Sequence, residues 1–183
     1  MFKLFRAMRF FIPFLVFVLL VIFFWVGLGK DPTQIPSELI NKPMPSFSLP
    51  SLQDRELTLS RELFMGHISV LHVWASWCHS CQREHPLWVD IAKDNPKIGF
   101  YGLAYKDAHL SASDWLQQHG NPYQFCIDDE AGALAMDLGV SATPETFLVD
   151  ANGIIRFKFT GAMSKGVWQR EFVPRIASLE HAG

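Results

Sequence analysis

The stretch Val70-Leu71-His72-Val73-Trp74-Ala75-Ser76-Trp77-Cys78-His79-Ser80-Cys81 decides the reading of this chain. A mostly apolar run ends at Trp74, and a CxxC pair opens the segment that follows, so the cysteines sit where a strand gives way to a helix. That placement points to a dithiol that is oxidised and reduced in turn. Spacing alone leaves zinc ligation, a structural staple and chance open. If Cys78 caps the helix, its sulfur lies beside unpaired backbone amides at the positive end of the helix dipole, which favours the thiolate. Cys78 is then the nucleophile. Cys81, nearly one turn further in and more buried, keeps its proton longer and acts as the resolving thiol. A protonated His79 would stabilise the Cys78 thiolate, and Ser80 could donate to the same sulfur through its hydroxyl or amide. The alternative for His79 is a solvated side chain without a role.

Working outward, strand and helix patterns alternate. Ile68–Trp74 reads as a strand, Cys78–Lys93 as a helix, Ile98–Ala104 as a strand, Ser111–His119 as a helix and Tyr123–Ile127 as another strand. A short helix around Ala131–Leu138 follows, then a hairpin of Thr146–Val149 and Ile154–Phe159 turning at Asp150-Ala151-Asn152-Gly153, and a closing helix from Lys165 to Leu179. Upstream, Phe47-Ser48-Leu49 and Leu57-Thr58-Leu59 each alternate apolar and polar residues, a pattern of short strands or of a hairpin around Gln53-Asp54-Arg55. The order predicts an α/β fold with a mixed sheet and helices on both faces.

The start of the chain is different. From Phe10 to Leu28 there is no charged residue, and these 19 residues as a helix span roughly 28 Å, close to the hydrocarbon thickness of a bilayer. Lys3, Arg6 and Arg9 precede the run while Lys30 and Asp31 cancel after it, which puts the short N-terminus in the cytoplasm and the rest outside. Gly27-Leu28-Gly29 offers a cleavage site, but the run exceeds the roughly 7–15 apolar residues of a signal peptide, and a retained anchor is the expectation. Pro32, Pro36, Pro43 and Pro45 mark an extended linker. The boundaries are 1–9 for the cytoplasmic end, 10–29 for the anchor, 30–45 for the linker and 46–183 for the folded domain. Residues 1–29 hold three basic and no acidic residues, leaving 13 basic against 18 acidic beyond them, and no dense basic patch suggests nucleic acid. Three cysteines permit one intramolecular pair and leave one thiol over.

Several separated motifs carry a resemblance. Trp74-Ala75-Ser76-Trp77-Cys78-His79-Ser80-Cys81 with Pro86, and Val140-Ser141-Ala142-Thr143-Pro144-Glu145-Thr146-Phe147, are similar to the active-site helix and cis-proline loop of the thioredoxin superfamily. Tyr105-Lys106-Asp107, Gly120-Asn121-Pro122-Tyr123, Asp137-Leu138-Gly139-Val140 and Phe147-Leu148-Val149-Asp150 before Asn152-Gly153-Ile154-Ile155-Arg156 agree in order and spacing. The chain most resembles the membrane-anchored thiol:disulfide interchange proteins of cytochrome c biogenesis, the DsbE/CcmG family, over about residues 43–176.

The resemblance implies a thioredoxin-like fold with an N-terminal β extension and a single N-terminal transmembrane helix. It implies a redox-active disulfide between Cys78 and Cys81, a cis peptide bond before Pro144, and substrate contacts from Trp77, His79, Thr143 and Pro144. Thr143 replaces the alanine expected in this subfamily. Glu84 and Glu145 resemble acidic residues placed near the dithiol, where they would disfavour a thiolate and relay a proton to or from Cys81. Their alternative is a solvated helix residue and a loop carboxylate. His72 stands where thioredoxins have a buried acid, and is otherwise a hydrogen-bonded core histidine. Cys126, between Phe125 and Ile127, reads as a buried small hydrophobe.

The implied activity is reduction of a disulfide in apocytochrome c or its haem-ligation partner. The catalytic domain would lie in the periplasm of a bacterium, anchored in the inner membrane. Electrons would come from a membrane thiol:disulfide oxidoreductase, and no cofactor is expected. Two alternatives are a general disulfide oxidant or isomerase, and a copper-handling module using Cys78, Cys81 and His79 or His85.

Overall fold

The computed structural model describes residues 13–24 and 38–182. The chain divides into two units, Met1–Gln34 and Ile35–Gly183. In the first, residues 13–24 are helical, and among the described residues no helix is long and apolar enough to cross a membrane. Most of the evidence for an anchor at 10–29, including the flanking charges Lys3, Arg6, Arg9, Lys30 and Asp31 and the Gly27-Leu28-Gly29 site, lies outside the described residues. So do Pro32 and Pro36 of the linker.

The second unit is built on a five-stranded sheet. Its strands are β3 (Ser69–Trp74), β4 (Gly99–Tyr105), β5 (Phe125–Asp129), β6 (Glu145–Val149) and β7 (Ile155–Thr160), preceded by a separate hairpin of β1 (Ser48–Pro50) and β2 (Thr58–Ser60). The sheet order is β5-β4-β3-β6-β7, with β3, β4 and β5 mutually parallel, β6 antiparallel to β3 and β7 antiparallel to β6, which makes it mixed. Every residue of β3 is buried because the strand lies between two others and is covered on both faces.

Side-chain alternation sends β3 to two cores. Val70 joins Phe100, Leu148, Trp88, Trp168 and Phe172 under the helix His79–Asp94 and the C-terminal helical segment. Leu71 and Val73 join Leu103, Phe147, Leu134 and Phe64 on the other face, against the helix Ala133–Asp137 and the N-terminal extension. The helix His109–His119 inserts Ala112 and Leu116 beside Trp74 and the two redox cysteines. At Gly102 the backbone passes so close to this cluster that a Cβ would stand 2.8 Å from Cys126 Sγ.

Four details depart from the sequence reading. Residues 41–44, read as linker, belong to the folded unit: Asn41 and Met44 amides donate to Ile155 and Gly153 carbonyls at 2.8 Å, and Met44 is buried. The last parallel strand begins two residues later, because Asn121 Oδ1 accepts from Tyr123 N at 2.9 Å and holds a turn there. It runs on through Asp128 and Asp129, two charges that argue against a strand. Asp129 is wholly buried and accepts from Leu134 N at 3.3 Å and Ala135 N at 2.8 Å, starting the next helix. The closing helix is interrupted: Lys165–Val167 passes through a π-helical turn, Trp168–Phe172, into Val173–Ala182. Pro174 has no amide to give to the carbonyl four residues back, and the widened turn accommodates its ring.

Candidate active site

Cys78 is the N-cap of the helix His79–Asp94, and its Sγ accepts a hydrogen bond from Cys81 N at 3.2 Å. The two cysteines are joined in a disulfide. Both are largely covered, Cys78 at 6% exposure and Cys81 at 3%, so the difference in burial between nucleophile and resolving thiol is slight. The sulfur's amide donor is that of Cys81 and not of Ser80, whose Oγ instead accepts from Arg83 at 3.2 Å. His79 is exposed at the first helical position.

A turn after β4 shapes the approach to the pair. Lys106 adopts φ 46°, and its carbonyl accepts from Trp77 Nε1 at 3.0 Å. Asp107, buried, accepts from both the Ser76 amide and, at 2.9 Å, the Ser76 hydroxyl. Trp77 thus presents a half-exposed indole beside Cys78, held at its nitrogen.

The second wall comes from β6. Its antiparallel register with β3 pairs Val73 with Glu145, which brings Thr143 and Pro144 to the sheet edge where β3 runs out toward Cys78. The Thr143–Pro144 peptide bond is cis. Pro144 is buried and Thr143 partly exposed.

Two carboxylates lie beneath this edge, and neither is solvated. Glu84, 5% exposed, holds Oε1 2.8 Å from His72 Nε2, a close approach not aligned as a hydrogen bond. The same oxygen accepts from Trp88 Nε1 at 3.2 Å, and Oε2 accepts from the Met163 amide. The His72 ring stacks on Trp88, and its Nδ1 is 2.8 Å from the Tyr123 hydroxyl. Burial first, then the neighbouring Cys126 and Glu84, push the Tyr123 phenol well above its ordinary value, so it stays protonated. Glu145 is wholly buried: Oε1 accepts from Ser141 N at 3.2 Å, Ser141 Oγ at 2.8 Å and Thr160 Oγ1 at 3.3 Å, and Oε2 lies 2.9 Å from Lys158 Nζ.

The chain as a whole is similar to known proteins. Residues 39–172 match the family described as Redoxin. The thiol:disulfide interchange protein DsbE of Pseudomonas aeruginosa is 40% identical over 168 residues, 92% of this chain and 92% of that protein. That of Allochromatium vinosum is 42% identical over 174 residues, 95% and 96% of the two chains. The chain belongs to the DsbE family. Among solved structures, dsbF of MTB in its mixed oxidized and reduced forms superposes with a TM-score of 0.62 at 27% identity, over 73% of this chain and 94% of that one. The putative DsbE of Chlorobium tepidum shares the fold with a TM-score of 0.64 at 20% identity, over 76% and 95%.

As a DsbE-family member the chain is a thiol:disulfide oxidoreductase acting through its CxxC pair. The structure brings Trp77, Cys78, Cys81, Thr143 and Pro144 to one edge, with Glu84 and Glu145 buried beneath it. His79 stays at the surface and makes no hydrogen bond or ion pair among the described residues. Cys126 is wholly buried, and burial pushes its thiol up to about 12, which leaves it inert. His85, the other histidine considered for copper, spends Nε2 on Gly120 O at 2.8 Å under the face of Trp115. Among the described residues no group of three or more His, Cys, Asp or Glu is arranged to hold a metal ion. The sequence reading gave no role to Asp107, Lys158, Ser141 or Thr160, whose partners all lie in other elements. The signal that could have found Lys158 is its lysine amid Phe157 and Phe159 in a strand otherwise apolar at its centre.

Proposed function

We propose that this protein is a membrane-anchored periplasmic reductase that acts on the disulfide of apocytochrome c, or of a protein that presents it for haem ligation. The observation that carries the reading is the Cys78–Cys81 pair at a helix N-terminus beside the Thr143–Pro144 loop. The resemblance to the cytochrome c biogenesis proteins supplies the substrate class, and the uncharged run Phe10–Leu28 supports the anchor.

In the forward direction the reduced Cys78 thiolate attacks one sulfur of the substrate disulfide, and the other sulfur leaves as a thiolate that takes a proton. Cys81 loses its proton and attacks Cys78 Sγ, closing the Cys78–Cys81 bond and releasing the second substrate thiol. Two electrons pass to the substrate. A membrane thiol oxidoreductase returns them by the same exchange in reverse. Trp77 and the Thr143–Pro144 backbone receive an extended substrate segment by strand-like pairing. Glu84, one turn beyond Cys81 on the same helix face, is the nearer of the two carboxylates in sequence to the resolving thiol and takes part in its proton transfer.

The test is replacement of Cys78 by Ala followed by an assay of c-type cytochromes: covalent haem attachment should be lost, and undiminished attachment overturns the substrate class. Trapping with Cys81→Ala should freeze the mixed disulfide and identify the partner. A reduction potential near the roughly −120 mV of strong oxidants would instead favour a general oxidant.

A further inference from the structure

The end of β7 touches both halves of the active edge. Thr160 Oγ1 and Lys158 Nζ reach the Glu145 carboxylate, and Gly161 N donates to Pro144 O at 2.9 Å. Two residues further, the Met163 amide donates to Glu84 on the dithiol helix. Six consecutive residues, 158–163, therefore bracket the cis-proline loop against the helix that carries Cys78.

Lys158 is the charged pin of this bracket. Its ammonium lies 2.9 Å from Glu145 Oε2, donates to Gly139 O at 2.7 Å and sits 5.3 Å from the centre of the Phe147 ring, with the side chain only 7% exposed. Gly139 and Glu145 are the two ends of the loop that contains Thr143 and Pro144. One cation thus holds both ends, and Ser141 in between is held by the carboxylate that the cation neutralises. Buried charge is costly to maintain, and neutral hydrogen bonds would fill the same space more cheaply. What the charge adds is a fixed geometry for a seven-residue loop in which the exposed pair Ser141-Ala142 has, among the described residues, its hydrogen bonds to Glu145 alone.

We propose that Lys158 is a positioning residue for the substrate: it fixes the Gly139–Glu145 loop, and through it the place of a bound peptide relative to Cys78. Its own contacts are to Gly139, Glu145 and Phe147, and it reaches neither cysteine. The inference rests on the reading that this loop receives a peptide substrate.

The experiment compares Lys158→Met with the unchanged full-length protein, reduced, against two disulfides: oxidised glutathione, which needs little of the loop, and a short extended peptide closed by one CxxCH disulfide. Lys158→Met should raise KM for the peptide about tenfold with kcat little changed, the pattern of lost binding, while the rate with glutathione stays within about twofold. Lys158→Arg should restore the peptide KM, because a guanidinium keeps the charge. Amide exchange at Ser141 should speed up about tenfold in Lys158→Met without a matching change in the helix His79–Asp94. Should Lys158→Met not fold, Lys158→Gln, which keeps an amide donor but no charge, gives the same comparison. Equal losses on both disulfides, failure of arginine to rescue, or unchanged exchange at Ser141 overturns the pin. If the unchanged protein reduces glutathione but leaves the peptide untouched, the peptide substrate class falls, and the exchange at Ser141 still decides for or against the pin.

Discussion

The two buried carboxylates of the active edge sit on opposite faces of the same sheet and are answered by different chemistry. Glu84 lies on the face of Val70 and Trp88, against an imidazole, an indole N–H and a backbone amide. Glu145 lies on the face of Phe147 and Val149, against an ammonium and two hydroxyls. The dithiol side thus meets its carboxylate with aromatic rings and a backbone amide, and the loop side with an ammonium and hydroxyls. The difference teaches that two similar acidic residues flanking one dithiol are held by unlike partners, so the same substitution at each should have unlike effects.

The most severe break separates chemistry from scaffold. Cys78→Ser should reduce turnover to background while leaving the urea midpoint close to that of the reduced protein, because the serine hydroxyl keeps the cap at the helix N-terminus but is a poor nucleophile near neutral pH. A large loss of stability instead would mean that the dithiol is chiefly structural.

On the loop side, Lys158→Met strands a wholly buried carboxylate. Removing one partner of a buried pair costs about 3–5 kcal/mol, and urea unfolding should show a loss of that size. Replacing both partners, Lys158→Gln with Glu145→Gln, should recover most of it, since no uncompensated charge remains. If the single and double variants are equally unstable, the pair is packing and its charge is incidental.

On the dithiol side the corresponding change is milder. Glu84→Gln keeps an oxygen for the Met163 amide, so the expected cost is about 1–2 kcal/mol. Its larger effect is on chemistry. Loss of a negative charge near the pair makes thiolates easier to form, and in the reduced protein the thiolate absorbance should rise at lower pH than in the unchanged chain. A thiolate titration that does not move would separate Glu84 from the dithiol.

How far these roles were legible follows from where each partner lies. The continuous apolar run of β3, the CxxC that follows it and the turn before Ile155 are local patterns, and the structure places strand, helix and hairpin there. The β1–β2 hairpin was equally local, because alternation shows within three residues. Lys158 and Glu145 pair diagonally across the β6–β7 register, in which Glu145 stands opposite Thr160 and Phe147 opposite Lys158. Nothing within either strand announces that pairing. Asp128 and Asp129 lie beyond the expected end of the strand at Ile127, and only the Leu134 and Ala135 amides that Asp129 accepts from and the His109 ring 2.8 Å from Asp128 explain their burial. Position in the sequence made Glu84 and Glu145 look alike, and only the packed sheet tells them apart.

The smallest expected effect asks whether part of the acid response belongs to one histidine of the dithiol helix. His85 follows Glu84 on the same helix, and burial holds its imidazole below the ordinary 6.5, with His72 and His119 adding repulsion and the Gly120 carbonyl and Glu84 opposing. A base whose folded value is depressed binds fewer protons than it does in the unfolded chain once the pH drops below 6.5. Its neutral, buried form is therefore fully stabilising above that value, and stability declines as the pH falls through it toward the depressed folded value. His85→Gln can still donate to the Gly120 carbonyl and does not titrate. Urea unfolding at about pH 7.5 and about pH 5 should show the unchanged protein losing more stability on acidification than the variant. The same pair of measurements on Lys158→Arg should show the unchanged protein's slope, since that substitution leaves His85 and its partners in place. If His85→Gln leaves the slope as it was, or if Lys158→Arg alters it, the acid response does not belong to His85.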